Sequence, residues 1–293
     1  EAYPHKTAFA DEHTSLTYRR LSDLSMRIGS VLGQKTGPRR PVPVLAEKNV
    51  FTLTAFMGIV RAGCFYVFLD AGQPSERLNR ILDTLQADLM IADKESLSLA
   101  GPVSFSGEIL PLEDLMSLPD DALNPGLLAS IRRQSTDTDP LYGIFTSGST
   151  GRPKGVMVGQ TAIVNRLLWM QDRYPLSADD VVAQKTPCSF DVSVWEFWWP
   201  FIAGAQLVMA EPEAHRDPQA MQQFFARYGV TTTHFVPSML AALLAEDTKP
   251  ETLRKMLASF LEIQPASSAP AKAPEPPAPV SKSVSARNLA GSL

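Results

Sequence analysis

Short apolar runs alternate with longer amphipathic stretches along most of this chain. That alternation restricts the fold more than any other feature. Thr17 can cap a helix whose apolar face is Leu21, Leu24, Ile28, Val31 and Leu32, spaced by three and four. Val42 to Ala46 reads as a buried strand, Thr52 to Ala62 as an apolar helix ended by Gly63, and Phe65 to Leu69 as a second strand. Ser75 is expected to cap a helix carrying Leu78, Ile81, Leu82 and Leu85, and Asp88 to Ala92 to form a third strand. The alternation predicts an α/β fold with mostly parallel sheets flanked by helices.

Residues 93–139 interrupt the pattern. They read as polar and irregular, with turns at Gly101-Pro102 and Asn124-Pro125-Gly126. The sheet pattern resumes at Leu141. A helix is expected over about Ala162 to Arg173, a strand over Val181 to Lys185 and an aromatic-rich helix over Val192 to Ile202. Gln206 to Ala210 and Thr231 to Val236 read as strands, and Pro218 to Tyr228 as a helix. Pro237 suits the first turn of a helix over Ser238 to Ala245. From about residue 264 to Leu293, Ala, Pro and Ser dominate and no aromatic residue occurs. Such a segment buries too little apolar surface to offset its ordering entropy. It is expected to be a disordered tail beyond a folded part at 1–263, either a Pro/Ala linker or a frameshift product, alternatives that the nucleotide sequence separates.

A net charge of −4 carries no nucleic-acid footprint. Cys64 and Cys188 are too far apart to suggest a disulfide framework or a metal-ligand spacing. Cys64 reads as a small buried hydrophobe. The N-terminus has no apolar signal-peptide region, and Pro200 and Gly204 interrupt the greasiest stretch. These features favour a reducing cytoplasm, with neither a membrane nor a nucleic acid as partner.

The stretch Thr146-Ser147-Gly148-Ser149-Thr150-Gly151-Arg152-Pro153-Lys154-Gly155 lies between a strand-like run, Leu141 to Phe145, and another, Gly155 to Val158. Glycines leave backbone N–H groups free to converge on an anion, hydroxyls add neutral donors, and Lys154 adds a movable positive charge. The natural guest is a polyphosphate at a strand end, where open α/β sheets bind ligands. This is not the common P-loop, G-x-x-x-x-G-K-S/T opening a helix. The bland alternatives are a flexible Ser/Gly linker and, for Lys154, a solvated surface lysine.

The segment Leu141 to Gly155 resembles the phosphate-loop signature of adenylate-forming enzymes: acyl-CoA synthetases, luciferases and the adenylation domains of nonribosomal peptide synthetases. Leu16-Thr17-Tyr18-Arg19-Arg20-Leu21, then Arg61 to Asp70 with Glu76-Arg77-Leu78, and then Phe190-Asp191-Val192-Ser193-Val194-Trp195-Glu196 resemble further signatures of the amino-acid-activating branch, in family order. The second departs from the family pattern at Phe68 and around Ala71 to Gln73. The Tyr-Gly-Pro-Thr-Glu segment, ribose aspartate, hinge and C-terminal lysine of the family are absent.

The resemblance implies a two-step reaction. A carboxylate attacks the α-phosphorus of ATP, with Mg²⁺ arriving on the nucleotide, and the phosphopantetheine thiol of a carrier protein then takes the acyl group. Thr146, Ser147, Gly148, Ser149, Thr150, Gly151, Lys154 and Gly155 would hold the phosphates, with Lys154 and Thr146 acting in catalysis. Asp191 would meet the substrate α-ammonium as a buried anion. Its bland alternative is a helix cap.

Asp191, Val192, Trp195 and His234 match the first four pocket positions, in a combination similar to serine-activating domains of the enterobactin-synthetase type. Trp195 leaves room for a short side chain, and His234 can hydrogen-bond a hydroxyl. The bland readings are core packing of Trp195 with Phe197 and Trp198, and a satisfied core histidine. The first half, through about Val158, is closer to D-alanine–carrier-protein ligases, which makes alanine the second substrate choice. A rival reading is a non-catalytic fragment that keeps these contacts without adenylating.

Overall fold

A computed structural model describes residues 2–147, 152–244 and 255–258. The chain opens with an antiparallel pair, β1 (Thr7–Ala10) and β2 (Ser15–Thr17). The Thr17 hydroxyl accepts from the Arg20 amide at 3.2 Å and so caps α1 (Tyr18–Lys35) as expected. Leu21, Leu24, Ile28 and Leu32 are buried on one face of α1, with Val31 half-buried beside them.

β3 (Pro41–Leu45), α2 (Val50–Arg61) and β4 (Phe65–Leu69) follow. α2 starts earlier than expected because the Asn49 side chain accepts from the Phe51 and Thr52 amides, both at 2.9 Å. Gly63, at φ +73°, supplies the left-handed residue that ends it. α3 (Ser75–Leu85) and β5 (Leu89–Ala92) continue the alternation. Ser75 does not cap α3. Pro74 holds that position, its carbonyl accepting from Arg77 and Leu78, and Ser75 falls inside the first turn.

Residues 93–139 are not irregular. They contain α4 (Lys94–Ala100), β6 (Glu108–Pro111), α5 (Leu112–Met116) and α6 (Pro125–Gln134). Asn124-Pro125-Gly126, expected as a turn, opens α6: Asn124 accepts from the Leu127 amide at 3.0 Å and Pro125 occupies the first turn. Asp93 caps α4 through the Ser96 amide at 2.6 Å.

The second half contains β7 (Pro140–Ser147), β8 (Pro153–Gly159), α7 (Gln160–Arg173), β9 (Val181–Gln184) and α8 (Val192–Ala203). It continues through β10 (Gln206–Met209), α9 (Pro218–Tyr228), β11 (Thr232–Phe235), α10 (Pro237–Leu244) and β12 (Lys255–Ala258). The expected tail at 264–293 lies outside the described residues.

The strands form two sheets, ordered β6-β5-β3-β4-β7-β8 and β12-β11-β9-β10-β1-β2. Pairing is parallel except for β7–β8 in the first sheet and β1–β2 in the second. The largest core joins the two sheets through α1, α2 and α8. Within it Phe56 stacks on Tyr66 at 4.1 Å, and the Trp198 indole donates to the Tyr66 hydroxyl at 3.3 Å, tying α8 to β4. Thr146, Ser147, Asp191 and His234 stand at or beyond the carboxyl ends of strands β7, β9 and β11.

Candidate functional site

β7 and β8 pair antiparallel, with Thr146 opposite Lys154 and Phe145 opposite Gly155. Lys154 therefore sits on a strand, which separates this loop from the helix-opening P-loop. Thr146, Ser147 and Lys154 are exposed at the open end of the hairpin. The Thr146 hydroxyl donates to the Lys154 carbonyl at 3.5 Å, a long bond that leaves it available to a guest. Gly148, Ser149, Thr150 and Gly151 lie outside the described residues. Gly155 has a packing reason as well: a Cβ there would come within 2.9 Å of the Phe145 ring.

One brace on this hairpin was not read from the sequence. Arg77 of α3 donates through Nη2 to the Phe145 carbonyl at 3.4 Å and through Nε to Gln73 Oε1 at 2.7 Å. The Glu76-Arg77-Leu78 match gives this contact its only sequence trace.

Asp191 stands at the N-terminal end of α8 and, contrary to expectation, is exposed rather than buried. Nor does its side chain cap the helix. Its backbone is helical, at φ −61° and ψ −29°, whereas a capping side chain needs an extended backbone. The positive end of the α8 dipole favours a carboxylate here without desolvating it. Its charge reaches β7 and α7. Burial, and then Asp191, push the Tyr142 hydroxyl up to about 12. Burial lowers the Arg166 guanidinium, while Tyr174 and Asp191 oppose that shift.

Trp195 lies one turn after Asp191 on the same face of α8. It is buried, but its ring neighbours are not the Phe197 and Trp198 of the bland reading. It meets Trp199 at 5.9 Å and the His234 ring at 5.2 Å, edge-on at 74°. Val192 is half-buried against the main core. α8 and β11 thus bring Asp191, Val192, Trp195 and His234 to one region.

His234 is 4% exposed. Its Nδ1 lies 3.1 Å from Glu196 Oε1, and its Nε2 is buried without a hydrogen-bond partner. The histidine is therefore only half satisfied. Sequence reasoning missed Glu196, which is 0% exposed. The missed signal was a lone charge in the otherwise uncharged helix Val192–Ala203. Burial would raise its carboxyl, but the His234 contact, the Lys185 ammonium and the Thr186 hydroxyl prevail and hold it below the usual range.

A groove of about 460 Å³ opens where the carboxyl ends of β3 and β4 face those of β9 and β10. Lys48, Lys185, Cys188 and His215 line it, whereas Asp191, Trp195 and His234 do not. Lys185 lines it and reaches toward β11, its ammonium 5.2 Å from the Phe235 ring centre. The buried side-chain atoms without a hydrogen-bond partner include His234 Nε2 and Gln184 Oε1, beside α8, and neither lines the groove. Burial pushes the Cys64 thiol up to about 11 and the Cys188 thiol up to about 12, so neither is a nucleophile at neutral pH. Among the described residues no group of three or more His, Cys, Asp or Glu is placed to hold a metal ion. Among them, too, no helix is long and apolar enough to cross a membrane.

The profile of a family described as "AMP-binding enzyme" matches residues 1–276. Enterobactin synthase component F of Escherichia coli (strain K12) is 51% identical over 262 residues, covering 89% of this chain and 19% of that protein. Vanchrobactin synthetase VabF of Vibrio anguillarum is 42% identical over 246 residues, covering 83% of this chain and 8% of that protein. Among solved structures, the nonribosomal peptide synthetase FmoA3 in its alpha-methyl-L-serine-AMP bound form superposes with a TM-score of 0.75 at 26% identity. That superposition covers 86% of this chain and 28% of the other. The chain spans only a fifth or less of the length of these two curated relatives.

Proposed function

The chain belongs to the AMP-binding enzyme family, with the adenylation domains of nonribosomal peptide synthetases, and from that premise we propose that it activates serine as a seryl-adenylate at the expense of ATP. The product is then passed to the phosphopantetheine thiol of a carrier protein. The observation that carries the choice of substrate is the buried, unpartnered Nε2 of His234 beside Trp195. A hydroxymethyl side chain satisfies it, and alanine leaves it unmatched. The 51% identity to an enterobactin synthase component and the α-methyl-L-serine-AMP held by FmoA3 support the same substrate.

In this reading Asp191 receives the α-ammonium from the exposed end of α8. Its exposed position leaves the carboxylate accessible for a charge-assisted bond. Thr146, Ser147 and Lys154 fit a polyphosphate, because they offer hydroxyls and a cation on the open end of a hairpin. Lys154 neutralises charge on the leaving pyrophosphate, and the ladder fixes its strand in place. Mg²⁺ travels with the nucleotide and supplies further charge neutralisation. Two buried, unreactive thiols support a reducing cytoplasm as the setting.

The test is amino-acid-dependent exchange of pyrophosphate into ATP, with serine, both alanine enantiomers and no amino acid. Serine-dependent exchange that disappears in Lys154→Ala and in Asp191→Ala is the expected result. A folded chain that exchanges with alanine in preference to serine overturns the substrate. Absence of exchange with any of them shifts the reading to a non-catalytic fragment.

A further inference from the structure

We propose that Glu196 is a positioning residue for substrate selection: it holds the His234 ring with Nδ1–H toward itself, so that Nε2 is presented as an acceptor for the hydroxyl proton of the substrate side chain. The proposal rests on the amino-acid-activating reading above and deepens it.

The argument starts from the surroundings of Glu196. Its Oε1 accepts from the Thr186 hydroxyl at 2.8 Å, and its Oε2 accepts from the Thr186 amide at 3.1 Å and from Gln184 Nε2 at 3.2 Å. The amide can only donate. The orientation of Gln184 is fixed independently, because its Nε2 also donates to the Thr186 carbonyl at 2.6 Å. Every partner whose role can be assigned is therefore a donor, as an ionised carboxylate requires. His234 Nδ1, the fourth partner at 3.1 Å, must then carry its proton toward Glu196.

A neutral imidazole has one N–H, so this arrangement leaves Nε2 as a lone-pair acceptor. That atom is buried and unpartnered. Trp195, edge-on at 5.2 Å, limits how large a group can approach the ring. The resulting rule is directional. A short side chain ending in an O–H donor is favoured, a methyl leaves the nitrogen unmatched, and a carboxylate sets acceptor against acceptor. The site thus turns a carboxylate that never touches the substrate into a preference for serine over 2-aminobutyrate, the amino acid with a methyl in place of the hydroxyl.

The experiment labels the histidines of the full chain with ¹⁵N and records two-bond proton–nitrogen correlations, with His234 assigned by its loss in His234→Asn. The expected spectrum shows a protonated Nδ1 and an unprotonated Nε2, and the Nε2 signal moves on addition of serine but not of 2-aminobutyrate. Glu196→Gln is expected to change the tautomer ratio and to reduce the serine preference about 10-fold, leaving 2-aminobutyrate binding nearly unchanged. A proton on Nε2 in the unmodified chain, as the other tautomer or as imidazolium, overturns the proposal. So does a folded Glu196→Gln variant with both tautomer and preference unaltered. If that variant does not fold, the spectrum of the unmodified chain decides. A chain with the expected tautomer that binds neither amino acid supports the Glu196 orientation and counts against the serine reading instead.

Discussion

The hairpin end of β7–β8 and the floor of the α8–β11 pocket are built in opposite ways. The hairpin offers exposed hydroxyls and an exposed lysine on the paired strands β7 and β8, with Thr146 opposite Lys154. The floor is buried except for the half-buried Thr186, and assembles Gln184, Thr186, Glu196 and His234 from β9, the loop after it, α8 and β11. An exposed polar end costs little to keep, since water satisfies its groups. A buried polar floor is stable only when nearly every group has a partner. Two of its atoms lack a partner, His234 Nε2 and Gln184 Oε1, and the ring nitrogen, beside Trp195, is where the proposed substrate hydroxyl is expected. Substitutions should separate stability from activity at one end and couple them at the other.

The largest effect sharpens that contrast on the floor side. Glu196→Ala strands the donors of Gln184, Thr186 and His234 in the interior, and should cost about 3–5 kcal/mol of unfolding free energy in denaturant titrations. Lys154→Ala should do the reverse. Its unfolding midpoint should stay within about 0.5 kcal/mol of the parent, while pyrophosphate exchange falls about 10²-fold or more. Equal stability losses for the two variants would erase the distinction.

Gly155→Ala tests whether the hairpin end depends on packing. The added methyl meets the Phe145 ring, so a loss of about 1–3 kcal/mol is expected, reduced when Phe145 is also shortened to leucine. The smallest effect is in the acid range. The Glu196 carboxyl lies below its ordinary value of 4.5, so the folded state binds that proton less readily than the unfolded chain. Its contribution is present above pH 4.5 and drains away as pH falls through the lowered folded value. Acid titrations of stability should therefore be shallower below that point in a folded Glu196→Gln variant.

What the sequence made legible divides along the same line. The β7–β8 hairpin was readable as two strand-like runs because its residues are near neighbours in the chain. Thr17 and its apolar face were readable because helical periodicity is local too. α4, β6, α5 and α6 were lost because none exceeds 10 residues, too short for periodicity to stand out from a polar background. Asn124-Pro125 could have been recognised as a helix start. Asp191 was recognised but put in the wrong environment, since nothing local says that the end of α8 faces outward. Trp195 and His234 could be named, but not the carboxylate between α8 and β9 that orders the histidine. That contact joins residues 38 apart in sequence and exists only after folding.

The pairing of β1 with β10 sets a schedule for synthesis. Phe9 lies opposite Leu207, whereas every strand of the other sheet falls between Pro41 and Gly159. At ribosomal rates of about 5–20 residues per second, the N-terminal hairpin waits roughly 10–40 s after it is made for its parallel neighbour. The sheet carrying the β7–β8 hairpin can close in the meantime. Among the described residues, the sheet that holds His234 therefore closes after the sheet that holds the β7–β8 hairpin.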